Sequence, residues 1–101
     1  KCFFSKNYKE IKYFIENSPV QINNLEKAIL ENDLEQVDRI SHKLKSEVGN
    51  FGAEKAINIL SEINRLSRNN TNRNLGKLFR IFREEINKVI QYLERYIEIN
   101  I

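Results

Sequence analysis

His42 is the only histidine of the chain, and its place on a predicted helix makes it the first candidate for chemistry. The apolar stripe of that helix consists of Leu34, Val37, Ile40, Leu44 and Val48. At about 100° per residue, His42 lies about 140° from the centre of this stripe. Because the stripe must face the core, the imidazole is predicted to point to solvent.

Small residues and a lysine follow His42 on the same part of the helix. Ser46 and Gly49 lie one and two turns further on, and Lys45 lies on the flank nearer the core. Small side chains leave room for another protein to approach, and a glycine inside a helix costs about 1 kcal/mol relative to alanine. The Lys45 ammonium would make charge-assisted contacts with a phosphoryl group on the ring.

Each of these residues also has an ordinary structural interpretation. A solvent-facing histidine can be without a role, Gly49 can mark the fraying end of a helix, and Lys45 can be a solvated surface lysine. Residue types alone therefore leave open a helical protein–protein interaction bundle in which the histidine is incidental.

The segment His42–Ala53 reads HKLKSEVGNFGA and resembles the motif of the histidine phosphotransfer (HPt) family. That motif has a histidine, any residue, an aliphatic residue, a lysine and then a small residue, with a glycine further along. His42, Leu44, Lys45 and Gly52 fit it at the family's spacing. The similarity covers roughly residues 22–66 in motif and the whole chain in helix layout.

Other positions near this motif match the family less closely. Ser46 stands where the family most often has glycine, and Glu47 stands where it prefers a small residue; both change the rim of the site. Residues 31–34 resemble the acidic turn that often precedes the family's active-site helix. Asn64 falls where many members have a glutamine or glutamate that reaches the imidazole, which makes it a candidate hydrogen-bond partner of the His42 ring.

The resemblance implies that a receiver domain of a response regulator docks over His42 and exchanges a phosphoryl group with it in both directions. The neutral imidazole would attack phosphorus through Nε2, and histidine suits this role because its ordinary pKa is about 6.5. Lys45 would assist the transfer, whereas Ser46, Gly49 and Gly52 would shape the site.

Arg39 and Lys43 are candidate docking residues for an acidic receiver surface. The resemblance also implies that the domain is a phosphoryl carrier without kinase activity of its own. No cofactor is expected on this chain, and the Mg²⁺ ion is expected on the receiver partner only. The chain has no glycine-rich nucleotide loop, so we expect no ATP binding.

Apolar residues recur at spacings of three and four, which predicts five helices over about residues 7–16, 18–30, 34–49, 53–67 and 74–98. Ser18, Pro19 and Gln21 resemble a capping box that starts the second of these helices. Asn32 or Asp33 would cap the third. The predicted fold is all-α: an antiparallel four-helix up-down bundle with a short additional N-terminal helix.

Length and charge limit the other classes of protein. The 101 residues suit a single domain spanning residues 1–101. The net charge is +3 with both signs interspersed, which does not favour a nucleic-acid partner. The single cysteine, Cys2, excludes an internal disulfide, and the one histidine and one cysteine are too few for a metal centre.

The chain starts at Lys1 without a methionine, so we expect it to be cut from a larger sensor kinase or phosphorelay protein. That parent protein could carry a membrane anchor, whereas this domain is expected to be cytoplasmic, to make no membrane contact and to be a monomer.

Overall fold

Four helices make up the part of the chain that is described. The computed structural model describes residues 8–100, with the side chains of residues 8–99. The helices are α1 (Tyr8–Leu30), α2 (Leu34–Gly49), α3 (Glu54–Arg68) and α4 (Leu75–Asn100). No strand occurs between residues 8 and 100, so the predicted all-α class is confirmed. Asn7, Cys2 and the start at Lys1 lie outside the described residues.

The predicted short N-terminal helix is wrong, because α1 runs without a break through Pro19. Its buried residues keep one spacing of three or four throughout: Ile11, Phe14, Ser18, Ile22, Leu25 and Ala28. One continuous stripe packs on the core, and this packing outweighs the hydrogen bond that proline cannot donate. Pro19 is exposed, which places its ring away from the neighbouring helices.

Ser18 is therefore an interior residue of α1 and not its cap. It is almost fully buried, and its hydroxyl has no hydrogen-bond partner among the described residues. The N-cap prediction for the next helix holds at Asp33, whose carboxylate accepts a hydrogen bond of 3.3 Å from the Gln36 amide.

Each connection between helices contains a residue with positive φ. These residues are Asn32 in the first connection, Gly52 in the second, and Asn70 and Asn74 in the third. Asparagine and glycine adopt this left-handed conformation more readily than other residues, so they allow the chain to turn within a few residues.

The core lies between the four helices. The pairs in contact are α1 with α2, α2 with α3, α3 with α4, and α4 with α1. Fully buried residues from every helix meet there, among them Leu25, Leu44, Leu60 and Phe82. Tyr8, at the start of α1, is exposed. None of the helices described between residues 8 and 100 is long and apolar enough to cross a membrane.

A change of Ser18 to alanine distinguishes a continuous α1 from a helix that starts at Ser18. In the continuous helix, Ser18→Ala removes an unpartnered buried hydroxyl, so we expect the free energy of unfolding to stay constant or to rise by up to about 1 kcal/mol. Loss of a true N-cap would lower it by about 1 kcal/mol, and Asp33→Ala is the matched control that should show this loss. Urea denaturation measures both, and a loss for Ser18→Ala as large as that for Asp33→Ala would contradict the continuous helix.

Candidate functional site

His42 lies on the solvent face of α2, as predicted. The buried residues of this helix are Val37, Ser41, Leu44 and Val48. This stripe directs the residue after Ser41 outward, and His42 is exposed. Its ring forms no hydrogen bond or ion pair with any residue that the structure describes. Both ring nitrogens are therefore accessible to a partner from solvent.

Lys45, Ser46 and Gly49 follow His42 on the C-terminal side of α2. Ser46 and Gly49 are exposed, and Lys45 is half-buried and makes no ion pair with a described residue. A Cβ atom added at Gly49 would have no neighbour within 4 Å, so packing inside this chain does not require glycine there. The missing side chain leaves a low surface beside His42.

Gly52 contributes to the turn between α2 and α3. Its φ of 65° is in the left-handed region, where a side chain is strained. Its amide donates to the Gly49 carbonyl at 3.2 Å, which closes the turn. The preceding residue, Phe51, is buried and lies against Phe14 with ring centroids 4.7 Å apart. Glycine at this position is thus explained by backbone geometry in the turn that follows α2.

The predicted hydrogen bond between Asn64 and the His42 ring is not formed. Asn64 is buried at 4% exposure, and its side-chain nitrogen faces α2 one turn earlier. Nδ2 donates to Asp38 Oδ1 at 2.6 Å, to the Asp38 carbonyl at 3.0 Å and to Ser41 Oγ at 3.2 Å. Its N–H groups are satisfied by these three oxygens, and the side chain is shorter than glutamine or glutamate.

Three further polar residues join Asn64 between α2 and α3. Ser41 Oγ donates to the Asp38 carbonyl at 3.2 Å, and Ser67 Oγ donates to the Asn64 carbonyl at 2.8 Å. We call Asp38, Ser41, Asn64 and Ser67 the interhelix polar cluster. Arg68 lies at its edge, with Nε 3.9 Å from Asp38 Oδ1.

Of this cluster, only Asn64 was predicted from the sequence to belong to the site. A usable signal was present, because Ser41 continues the Val37–Leu44–Val48 spacing and Ser67 continues the Leu60–Ile63 spacing. Polar residues at core positions must find hydrogen-bond partners. Here the two serines donate to backbone carbonyls of their own helices, and Asn64 bonds across to α2.

The candidate docking residues lie on the other flank of His42. Arg39 and Lys43 are exposed and line a groove between α1 and α2. On a helical wheel they lie about 60° and 100° from His42 on one side, whereas Lys45 lies about 60° away on the other. Cationic side chains therefore flank the ring on both sides.

A separate ion pair on α3 involves Glu62 and Arg65. Arg65 Nε donates to Glu62 Oε1 at 3.0 Å, and this hydrogen bond lowers the pKa of the Glu62 carboxyl and raises the pKa of Arg65. Arg65 pairs with Glu62 on its own helix, whereas Arg68 pairs with Asp38 on α2. No group of histidine, cysteine or acidic residues that could hold a metal ion occurs within the described range.

Comparison with known families gives one match. A model of the Hpt domain matches residues 10–96, a range that includes parts of all four helices and the whole of α2 and α3. Neither a comparison with curated proteins nor one with solved structures gives a match.

Substitution of the two glycines by alanine tests their different roles. Gly49→Ala meets open space in a helix, so we expect the free energy of unfolding to rise by up to about 1 kcal/mol. Gly52→Ala forces a side chain into the left-handed region and should lower it by about 1 to 2 kcal/mol. Thermal or urea denaturation of both variants measures the difference, and equal losses would show that Gly49 is also required by the fold.

Proposed function

The chain belongs to the Hpt domain family, and on this basis we propose that His42 is the residue that carries the phosphoryl group. Members of this family carry phosphoryl groups on histidine in two-component phosphorelays. The observation that supports the assignment is that the chain has a single histidine, which is exposed on α2 with no partner among the described residues.

The transfer exchanges one bond to phosphorus for another. The lone pair of the unprotonated ring nitrogen, Nε2, forms the N–P bond while the bond from phosphorus to the receiver's aspartate oxygen breaks. The electron pair of that bond returns to the aspartate carboxylate, and the proton on Nδ1 stays on the ring or exchanges with solvent. Such a reaction depends on positioning and charge stabilisation, and an exposed ring on a rigid helix supplies the positioning.

Lys45 supplies positive charge to the phosphoryl oxygens. It lies three residues after His42, so the two side chains are neighbours on the helix surface. Its half-buried position lets the aliphatic part pack against the bundle while the ammonium reaches the ring. Because no described carboxylate pairs with it, its charge is available to the transferred group.

The partner is a receiver domain of a response regulator, the class with which Hpt domains interact. Ser46 and Gly49 form the low surface on which it approaches, while Arg39 and Lys43 meet acidic groups at its edge. The receiver brings the Mg²⁺ ion, and this chain contributes no cofactor. Gly52 keeps the end of α2 in place.

We infer that successive helices are antiparallel, in an up-down bundle. The connections span residues 31–33, 50–53 and 69–74, which are too short for a return along the helix length. The whole chain would act as one phosphoryl carrier domain, a monomer without kinase activity, working in the cytoplasm as part of a larger sensor kinase or phosphorelay protein and needing neither nucleic acid nor membrane contact.

Phosphoryl transfer from a phosphorylated receiver domain tests the assignment of His42. The wild-type chain should take up label that is labile in acid and stable in base, as expected for phosphohistidine, and His42→Gln should take up none. Circular dichroism of the variant shows whether it is folded. Equal labelling of the two proteins would contradict the assignment of His42 as the phosphorylated residue.

Removal of the Lys45 ammonium tests its part in the transfer. Lys45→Ala should slow phosphoryl transfer by about tenfold, because the charge-assisted contact is lost. Lys55→Ala, an exposed lysine of α3, is the matched control and should change the rate by less than about twofold. Quenched-flow labelling gives both rates, and equal effects would show that general surface charge is responsible.

A further inference from the structure

Asp38 presents a problem for a phosphoryl acceptor. It precedes His42 by one turn, and side chains at this spacing have Cβ atoms about 5 to 6 Å apart. Helical side chains lean toward the N-terminus, so the His42 ring leans over the turn that contains Asp38. An unrestrained Asp38 carboxylate would therefore place a negative charge beside the phosphoryl group.

In the structure, α3 engages this carboxylate. Asn64 Nδ2 lies 2.6 Å from Asp38 Oδ1, and Arg68 Nε lies 3.9 Å from the same oxygen. Asp38 makes no hydrogen bond to His42. The side chain of Asp38 is partly exposed, at 41%, so it would have room to turn toward the ring if α3 did not engage it.

Asn64 is itself held firmly. It is buried, and the same nitrogen also donates to the Asp38 carbonyl and to Ser41 Oγ. The Ser67 hydroxyl donates to the backbone carbonyl of Asn64 at 2.8 Å, a bond within α3 that leaves the Asn64 side chain to α2. The Asn64 side chain thus bonds to Asp38 and Ser41, which lie four residues and one residue before His42 on α2, so the amide is held against the helix that carries the ring.

We propose that Asn64 is a positioning residue that acts through Asp38. It holds the Asp38 carboxylate of α2 against α3, where Arg68 offsets the negative charge of that carboxylate. The local field at His42 is then dominated by Lys45, which favours the phosphorylated state. The proposal rests on the proposed function of His42. It differs from a direct hydrogen bond to the ring, because the asparagine would never touch the reacting atoms.

The physical effect is electrostatic. The phosphoryl group brings negative charge to the ring, and a carboxylate at about 6 Å in a partly solvated site opposes it by about 1 kcal/mol, or roughly fivefold in rate or equilibrium. The effect should decrease with ionic strength, since both charges are close to solvent.

Four proteins test the proposal: wild type, Asn64→Ala, Asp38→Asn and the double variant. Each is mixed with a phosphorylated receiver domain, and the rate of transfer to His42 and the equilibrium share of label on His42 are measured. We expect Asn64→Ala to lower both by about threefold to tenfold, and raising the salt from about 0.05 M to about 0.5 M should reduce the difference. Asp38→Asn alone should not lower either value, and in the double variant it should restore both to within about twofold of wild type.

Two outcomes overturn the proposal: a double variant as slow as Asn64→Ala, or an Asp38→Asn variant that is itself slow, which would mean that the carboxylate assists the reaction. If Asn64→Ala does not fold, Arg68→Ala replaces it, because this exposed side chain is outside the core. Arg68→Ala should lower the transfer rate and the share of label on His42 by less than Asn64→Ala does, and adding Asp38→Asn must restore both values. A wild-type chain that takes no label on His42 overturns the proposed function and this inference together, whereas labelling of wild type without rescue overturns the inference alone.

Discussion

The packing of α2 determines which of its residues can meet a partner. Val37, Leu44 and Val48 are fully buried, and a helix that buries this stripe must present the opposite face to solvent. His42 lies on that face because of its register and not because of any contact of its own. The other helices matter to the site mainly because they hold this stripe in place.

The α2–α3 contact differs from an ordinary apolar helix interface. Ser41 is as buried as the leucines around it, and its hydroxyl donates to the Asp38 carbonyl within α2 and accepts from Asn64 of α3. A polar pair inside a core permits fewer alternative alignments than apolar side chains, which tolerate sliding and rotation. Since Ser41 immediately precedes His42, the same pair also constrains the position of His42 relative to α3.

Local signals and packing disagree in the middle of α1. Ser18, Pro19 and Gln21 resemble a helix start, but the buried stripe of α1 passes through them unchanged, and burial of several apolar side chains outweighs one missing backbone hydrogen bond. At Gly52, by contrast, the backbone conformation alone explains the residue. The turn requires a positive φ, and glycine adopts it without any contribution from core packing. Proline is therefore a weak marker of a boundary when the apolar spacing continues beyond it.

The sequence by itself determined the all-α class, the outward direction of His42, the neighbours Lys45, Ser46 and Gly49, and a helix cap at Asn32 or Asp33. All of these depend on spacing within one helix, which about 100° of rotation per residue makes readable. The tertiary structure alone decided that Asn64 meets Asp38 and Ser41 and not the ring, and that Arg68 approaches the same carboxylate. These contacts join different helices, so they depend on how far α3 is shifted and rotated against α2. The spacing of apolar residues within either helix does not determine that shift or rotation.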